Sequence, residues 1–240
     1  MNELQATYDT RSEKKLNNFI LWIRWEYYKY VIVPVIKNFI KQTSSDWWSV
    51  LYWKILERWS GQWHKMLKTI EWLLWDNFEF IWVEPSAWMR EKAEKKFKNN
   101  NKVKFVDWFA EELPFEDNSI DFIFDIQMQH HHPEEKKREM IMEANRTLKQ
   151  WAHIYILDTF IPPNTTIFSS VKQKVFSLLQ WAYVKEVWKW EYHNGLLEKT
   201  IQILEDEWFE VNQKYSRWFK VFLWHILGFD FINQIIATKK

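Results

Sequence analysis

The stretch Leu56-Glu57-Arg58-Trp59-Ser60-Gly61-Gln62-Trp63, "LERWSGQW", closes a hydrophobic run and opens a helical one. A strand that turns sharply into a helix can cradle a nucleotide. Glycines let the backbone approach the ligand closely, and the first N–H groups of the helix are free to bind its polar atoms. Two positions where such a turn calls for glycine carry tryptophan here. Whether this is a cofactor turn depends on what lies on either side of it.

From Val50 onward, strands alternate with helices. "VLYWKILE" ahead of the turn reads as a strand, and residues 62–74 after it as a helix. Then follow a strand over 78–84 ("FEFIWVE"), a helix over 86–98 and a strand over 102–107 ("KVKFVD"). After the loop "WFAEELPFEDNS" come a strand over 120–127 ("IDFIFDIQ"), a helix over about 133–148 and a strand over 152–160 ("AHIYILDTF"). This alternation predicts an α/β, Rossmann-like fold with a mostly parallel sheet covered on both faces. Residues 196–207 read as a helix, and the strand-like runs "FEVNQKYS" and "FKVFLWHIL" predict a C-terminal antiparallel hairpin, for seven strands in all. Residues 1–48 read as an N-terminal helical cap, and 49–240 as the main domain with a helical insert at about 161–195.

Lys+Arg of 33 against Asp+Glu of 32 leave a formal charge of +1, no electrostatic footprint for nucleic acid, and so favour a small or neutral partner. Cysteine is absent, which excludes disulfides, thiolate metal sites and cysteine nucleophiles and makes the cytoplasm the expected location. The most apolar early run, "YVIVPVIKNFI", is short and broken by Pro34 and Lys37, so no membrane span is expected.

The chain has 19 tryptophans and 3 glycines, whereas ordinary usage predicts about 17 glycines in this length. Trp59, Trp63, Trp72, Trp75, Trp88, Trp108, Trp151 and Trp208 fall at turns, strand ends and helix ends. Those are positions where φ > 0 or a close backbone approach favours glycine, and an indole there carries a Cβ penalty. An aromatic binding surface would instead gather its tryptophans on one face. The expectation is that many of them stand for glycines, as when a reassigned stop codon is decoded as glycine in the cell and read as tryptophan in translation. Trp224, inside an apolar run, is compatible with a native tryptophan.

With glycine in those places, residues 50–160 resemble the class I S-adenosylmethionine-dependent methyltransferases, most closely the small-molecule branch that includes quinone-biosynthesis C-methyltransferases. Four motifs in order carry the resemblance. "LERWSGQW" is similar to an acidic residue followed by G-x-G-x-G. "FIWVEPSAWM" places Glu84 at the end of the second strand, about twenty residues past the loop, where a carboxylate accepts both ribose hydroxyls. "VKFVDWFAEELPFEDNSIDFIF" is similar to v-x-f-v-x-G-D-A-x-x-L-P-F-x-D-x-S-F-D, a block that nicotinamide enzymes do not usually carry. "DFIFDIQMQHHHPEEKKREMIMEANRTLKQWA" is similar to D-x-V-x-x-x-x-x-L-H-H-x-x-D…E-x-x-R-x-L-K-P-G-G, with Gln150 and Ala152 departing from it.

The resemblance implies a Rossmann-like methyltransferase fold with S-adenosylmethionine as cofactor. It implies cofactor contacts from Glu57, Trp59, Ser60, Gly61, Trp63, Glu84, Pro85, Phe109, Ala110 and Asp125. Phe109 replaces the family's adenine-binding Asp, so that contact is lost or moves to the Phe109 and Ala110 backbone. Methyl transfer from a sulfonium needs alignment and desolvation but no protein nucleophile and no metal. No catalytic residue stands out. His130 and His131, just past the fourth strand, are weak candidates for a general base, and each is at least as well explained by packing. Three adjacent histidines diverge and make a poor metal site.

The partner implied is a small-molecule methyl acceptor, bound over the carboxyl ends of the strands. Tyr8, Tyr27 and Tyr28 of the cap are further candidates to line that site. Two other readings stand beside this one. The first is a non-catalytic methyltransferase-fold binding protein, favoured by Phe109 and by indoles in the loop. The second is a nicotinamide-dependent oxidoreductase, disfavoured by the third and fourth motifs. The identity of the acceptor and the oligomeric state are not encoded legibly.

Overall fold

The computed structural model describes residues 53–58, 67, 71, 78–126, 128–129, 132–159, 197–213 and 232–240. The expected cap over 1–48, the loop 59–63, the insert over 161–195 and the run 219–227 lie outside the described residues. The chain divides into two units, residues 1–108 and 109–240.

In the first unit, β1 (Trp53–Arg58), β2 (Phe78–Val83) and β3 (Val103–Val106) lie in the order β3-β2-β1, all parallel. Their apolar runs are nearly continuous because both faces of the strands are covered. Ile55, Leu56, Phe78, Phe80, Trp82 and Val83 are all buried. Leu67 and Glu71 are helical, as the pattern over 62–74 predicts at those two positions, and Leu67 is buried.

Helix α1 (Ala87–Phe97) starts where Ser86 stops the extended chain and its hydroxyl accepts the Met89 N–H at 3.4 Å. Lys95 and Lys96 sit in its last turn, where the helix dipole favours positive charge. Trp88, expected in a turn, lies in the first turn of this helix with the Lys92 ammonium 4.5 Å from its ring centre.

In the second unit, β4 (Ile120–Ile126), β5 (Leu148–Thr159), β6 (Phe209–Gln213) and β7 (Ile232–Lys239) lie in the order β4-β5-β7-β6. β4 and β5 are parallel, whereas β7 runs antiparallel to both β5 and β6. Among the described residues the sheet strands thus number seven, mostly parallel with an antiparallel C-terminal strand, as expected. The expected hairpin strand "FKVFLWHIL" lies outside the described residues, and among those described the partner of β6 is "INQIIATK". Its apolar residues Ile235, Ile236 and Ala237 are buried against β5 and β6.

Helix α2 (Glu134–Thr147) and helix α3 (Leu197–Asp206) belong to the same unit. Glu134 and Glu135 in the first turn of α2 and Arg146 in its last complement its dipole. Its buried stripe is Lys137, Met140, Ile141, Ala144 and Thr147, at helical spacing. The turn expected at "LKQWA" is absent, because α2 runs directly into β5 at Leu148. The extra residues are absorbed by a register shift between the pairs Ile120–Leu148 and Phe122–His153.

Two tryptophans behave as glycine substitutes do. Trp151, in that irregular stretch of β5, has φ 67° and is 64% exposed. Trp208, between α3 and β6, has φ 65° and is 73% exposed. Asn118, the other positive-φ residue among those described, is of a type that tolerates this region, and its side chain accepts from the Lys239 ammonium at 2.8 Å. Trp82 is the opposite case. It is fully buried and packs edge-on against Phe80 and Phe97, with Phe105 tilted beside it.

Candidate functional site

In the first unit the site begins at the carboxyl end of β2. Glu84 follows the last strand residue, is 95% buried, and accepts the Ser86 N–H at 3.0 Å on Oε1. Its main-chain carbonyl accepts from Arg90 of α1 at 2.8 Å, and the other arm of that guanidinium pairs with Asp107 beyond β3 at 2.8 Å. Arg90 therefore ties the ends of two strands to the helix and holds the Glu84 backbone in place. Ser86, not Glu84, caps the helix, so the carboxylate is not used up as a cap. A buried carboxylate held at a strand end is the acceptor that vicinal hydroxyls require. Pro85 is buried beside it.

Glu57, in register with Trp82 on the adjacent strand, is fully buried and accepts the Trp82 indole N–H on Oε2. The structure thus gives Glu57 a partner in the core that the sequence reading did not foresee. Trp59, Ser60, Gly61 and Trp63 lie outside the described residues, as do His130 and His131.

In the second unit, Phe109 is half-buried and bridges Glu112 in a short antiparallel contact, while Ala110 is buried. The loop that follows is clamped from α2. The Leu113 N–H donates to Glu143 Oε1 at 2.7 Å, and Arg146 donates to the Leu113 carbonyl at 3.0 Å. Arg146 also forks onto Glu143 (2.7 and 2.9 Å) and onto Asp117 at 2.6 Å. The hydrogen bonds it donates to Glu143 and Asp117 hold the guanidinium pKa above its ordinary value. The "AEELPFEDNS" and "E-x-x-R" blocks are therefore two halves of one clamp that sets the loop ahead of β4.

Substituting Arg146 by Met is expected to cost roughly 1–2 kcal/mol, read from urea unfolding. Lysine should restore only part of that, since a point charge cannot fork. Equal stability of R146M and the parent would remove the clamp from this account.

Asp125, near the end of β4, is buried, and its Oδ2 accepts the Gln129 amide N–H at 2.8 Å. His132 is buried, and its main-chain N–H donates to the Gln129 carbonyl at 3.0 Å. Gln129 was not singled out from sequence; it stands where the resembled motif has Leu, which was the available signal. Among the described residues no group of three or more metal-ligating side chains comes together, and no helix is long and apolar enough to cross a membrane.

Comparison with known proteins agrees with this architecture. Residues 61–151 match the family model described as a methyltransferase domain. No curated protein matches the chain. Similar solved structures include a methyltransferase from Aquifex aeolicus described as S-adenosylmethionine-dependent, with 15% identity over 88% of this chain and 90% of that one, TM-score 0.57. Another is a geranyl diphosphate methyltransferase in complex with geranyl diphosphate and sinefungin, with 10% identity over 79% and 72%, TM-score 0.58. A third is the [4+2]-cyclase SpnF, with 13% identity over 84% and 80%, TM-score 0.56. Residues 61–151 are thus similar to a methyltransferase domain, and the likeness to solved structures extends the Rossmann-like methyltransferase fold over most of the chain.

Proposed function

We propose that this protein transfers the methyl group of S-adenosylmethionine to a small-molecule acceptor by in-line displacement. The observation that carries the reading is Glu84. It is a buried carboxylate at the carboxyl end of β2, steadied through the Ser86 N–H and the Arg90 bridge. A carboxylate there suits the two ribose hydroxyls, so the donor set fits the cofactor at this point. The resemblance adds the loop Glu57–Trp63, Pro85, Phe109, Ala110 and Asp125 as further cofactor contacts. When bound, the cofactor supplies an activated methyl on a sulfonium, and the chain's own residues contribute alignment and exclusion of water. The absence of cysteine is consistent with such chemistry in the cytoplasm.

Titration calorimetry with S-adenosylhomocysteine tests this on the full chain carrying glycine at Trp59 and Trp63. Binding is expected, and Glu84→Ala should weaken it by roughly tenfold or more, the value of charge-assisted hydrogen bonds to the ribose. E84Q should sit between the two. Unchanged affinity in E84A would remove Glu84 from the cofactor site.

A second reading is a methyltransferase-fold protein that binds a ligand without methyl transfer. Phe109 favours it, because an apolar ring takes the place of an adenine-binding carboxylate, and a solved structure of similar fold is described as a cyclase. Cofactor binding without release of S-adenosylhomocysteine across a panel of acceptors would select this alternative.

A further inference from the structure

The basic residues of the chain are not spread evenly. From Arg90 to Lys104 stand six lysines and one arginine against two glutamates, a local excess of five positive charges in a chain whose formal charge is +1. Lys92, Lys95, Lys96, Lys98 and Lys104 are exposed, and Lys102 is half-buried. On α1, Lys92, Lys95 and Lys96 recur at helical spacing and share one face, away from the buried Ala93, while Glu91 and Glu94 lie on the other flank. Like charges three and four positions apart repel, so this stripe opposes the helix that carries it. The helix dipole accounts for Lys95 and Lys96 in the last turn, but not for Lys92, Lys102 or Lys104.

The first unit gathers these lysines at one pole. α1 ends and β3 begins there, and the turn between them is fixed by hydrogen bonds. The Asn100 N–H donates to the Phe97 carbonyl at 2.8 Å, and the Asn100 side chain accepts the Lys102 N–H at 3.1 Å and donates to Glu71 at 2.7 Å. β2 and β3 are parallel, so Glu84 and Asp107 stand at the opposite, carboxyl pole. Carboxylates are also placed differently in the two units. In the second, the surface lysines Lys136, Lys149 and Lys199 pair with carboxylates at 2.5, 2.7 and 2.6 Å. At the lysine pole, Glu79 pairs with Lys104, and Glu91 stands 3.9 Å from Lys95.

We propose that this lysine pole is an interaction surface for an anionic lipid bilayer, on which the protein docks peripherally while the carboxyl ends of its parallel strands stay turned away. The partner follows from the residue type. A lysine ammonium is a compact, hydrated point charge that suits a diffuse anionic sheet, and a cluster of about four to eight basic residues on a helix is the footprint of acidic headgroups. Nucleic-acid recognition draws on arginine forks. The one arginine of the cluster, Arg90, is engaged inside the unit by the Glu84 carbonyl and Asp107. The surface owes nothing to the methyltransferase reading, and it needs no membrane-spanning helix.

The test is co-sedimentation of the full chain with phosphatidylcholine vesicles, with and without phosphatidylglycerol, at low and at high salt. Binding is expected only when phosphatidylglycerol is present, and it should fade in high salt. The variant K95Q/K96Q/K98Q should bind roughly 100-fold more weakly, at about fivefold for each lysine near the surface. K136Q/K149Q/K199Q loses the same net charge and should differ from the parent by less than about threefold, because those lysines lie away from the pole. Should the first variant not fold, acetylation mapping of the parent decides, with Lys95, Lys96 and Lys98 expected to be shielded by phosphatidylglycerol vesicles and Lys199 not. Equal binding to both kinds of vesicle, no binding to either, equal losses in the two triple variants, or no shielding overturns the proposal. Binding of a mixed-sequence oligonucleotide that depends on Lys95, Lys96 and Lys98, without binding to vesicles, would assign the pole to nucleic acid and overturn it as well.

Discussion

Replacing Trp59 and Trp63 together by glycine is expected to tighten S-adenosylhomocysteine binding by ~100-fold or more, which corresponds to about 2.7 kcal/mol. The reasoning starts from sequence. In "LERWSGQW" the acidic residue, the single glycine Gly61 and the following helix match a cofactor loop at every position except the two that carry an indole. Such a loop works by bringing main-chain N–H groups against the ligand, and a side chain at the point of closest approach occupies the ligand's own volume. Glu84 stands at the end of β2, and Arg90 ties its main chain to Asp107 beyond β3. The printed loop is therefore expected to block the proposed cofactor site. The measurement is calorimetry on the parent, each single variant and the double variant. Affinity in the printed chain equal to that of the double variant would show that the indoles do not occupy the cofactor's space.

The parallel strands were legible because their physics is local. "FEFIWV" is apolar on both faces after Glu79, as strands covered by helices are, "IDFIFDI" is apolar along the whole of one face, and Glu84 breaks the first run at its end. β7 was not legible for the converse reason. "INQIIATK" mixes polar and apolar residues in a pattern that identifies no element, and it becomes a strand only because β5 and β6 both offer it antiparallel edges. The more apolar run at 219–227 competed for the same assignment. The junction at "LKQWA" was misread for a related reason: a helix end followed by a glycine-like position predicts a turn, while the chain instead continues as strand through a bulge. Two buried polar groups of the second unit were hidden altogether. Lys137 and Gln129 look like surface residues by type, and only the tertiary fold reveals them as buried. Motif resemblance proposes the cofactor residues; it has nothing to say about residues this chain does not share with the motif.

Trp151 and Trp208 yield the second large effect, in stability rather than in binding. Both adopt φ near +65° and both are mostly exposed, so each pays the left-handed penalty with little burial in return. That penalty is about 1–2 kcal/mol for a residue with a Cβ. Glycine removes it and gives back part of the gain through the greater freedom of the unfolded chain, roughly 0.4–1 kcal/mol. A net stabilisation of ~1 kcal/mol per site follows from these two terms. The double variant W151G/W208G should then melt roughly 4–8 °C higher, at about 2–4 °C per kcal/mol for a chain of this size. The two sites are each at a junction of their own, Trp151 between α2 and the body of β5 and Trp208 between α3 and β6, so additivity is expected. Trp82 provides the internal contrast. It is fully buried among Phe80, Phe97 and Phe105, and its replacement by glycine in the printed chain should cost roughly 3–5 kcal/mol, the value for emptying a large aromatic site. The intact mass of the protein from its native host identifies which residues the cell inserts. A mass lower by a whole number of Trp-to-Gly differences than that of a chain with 19 tryptophans supports glycine decoding, peptide mapping assigns it position by position, and a mass equal to it would leave Trp151 and Trp208 as strained native residues.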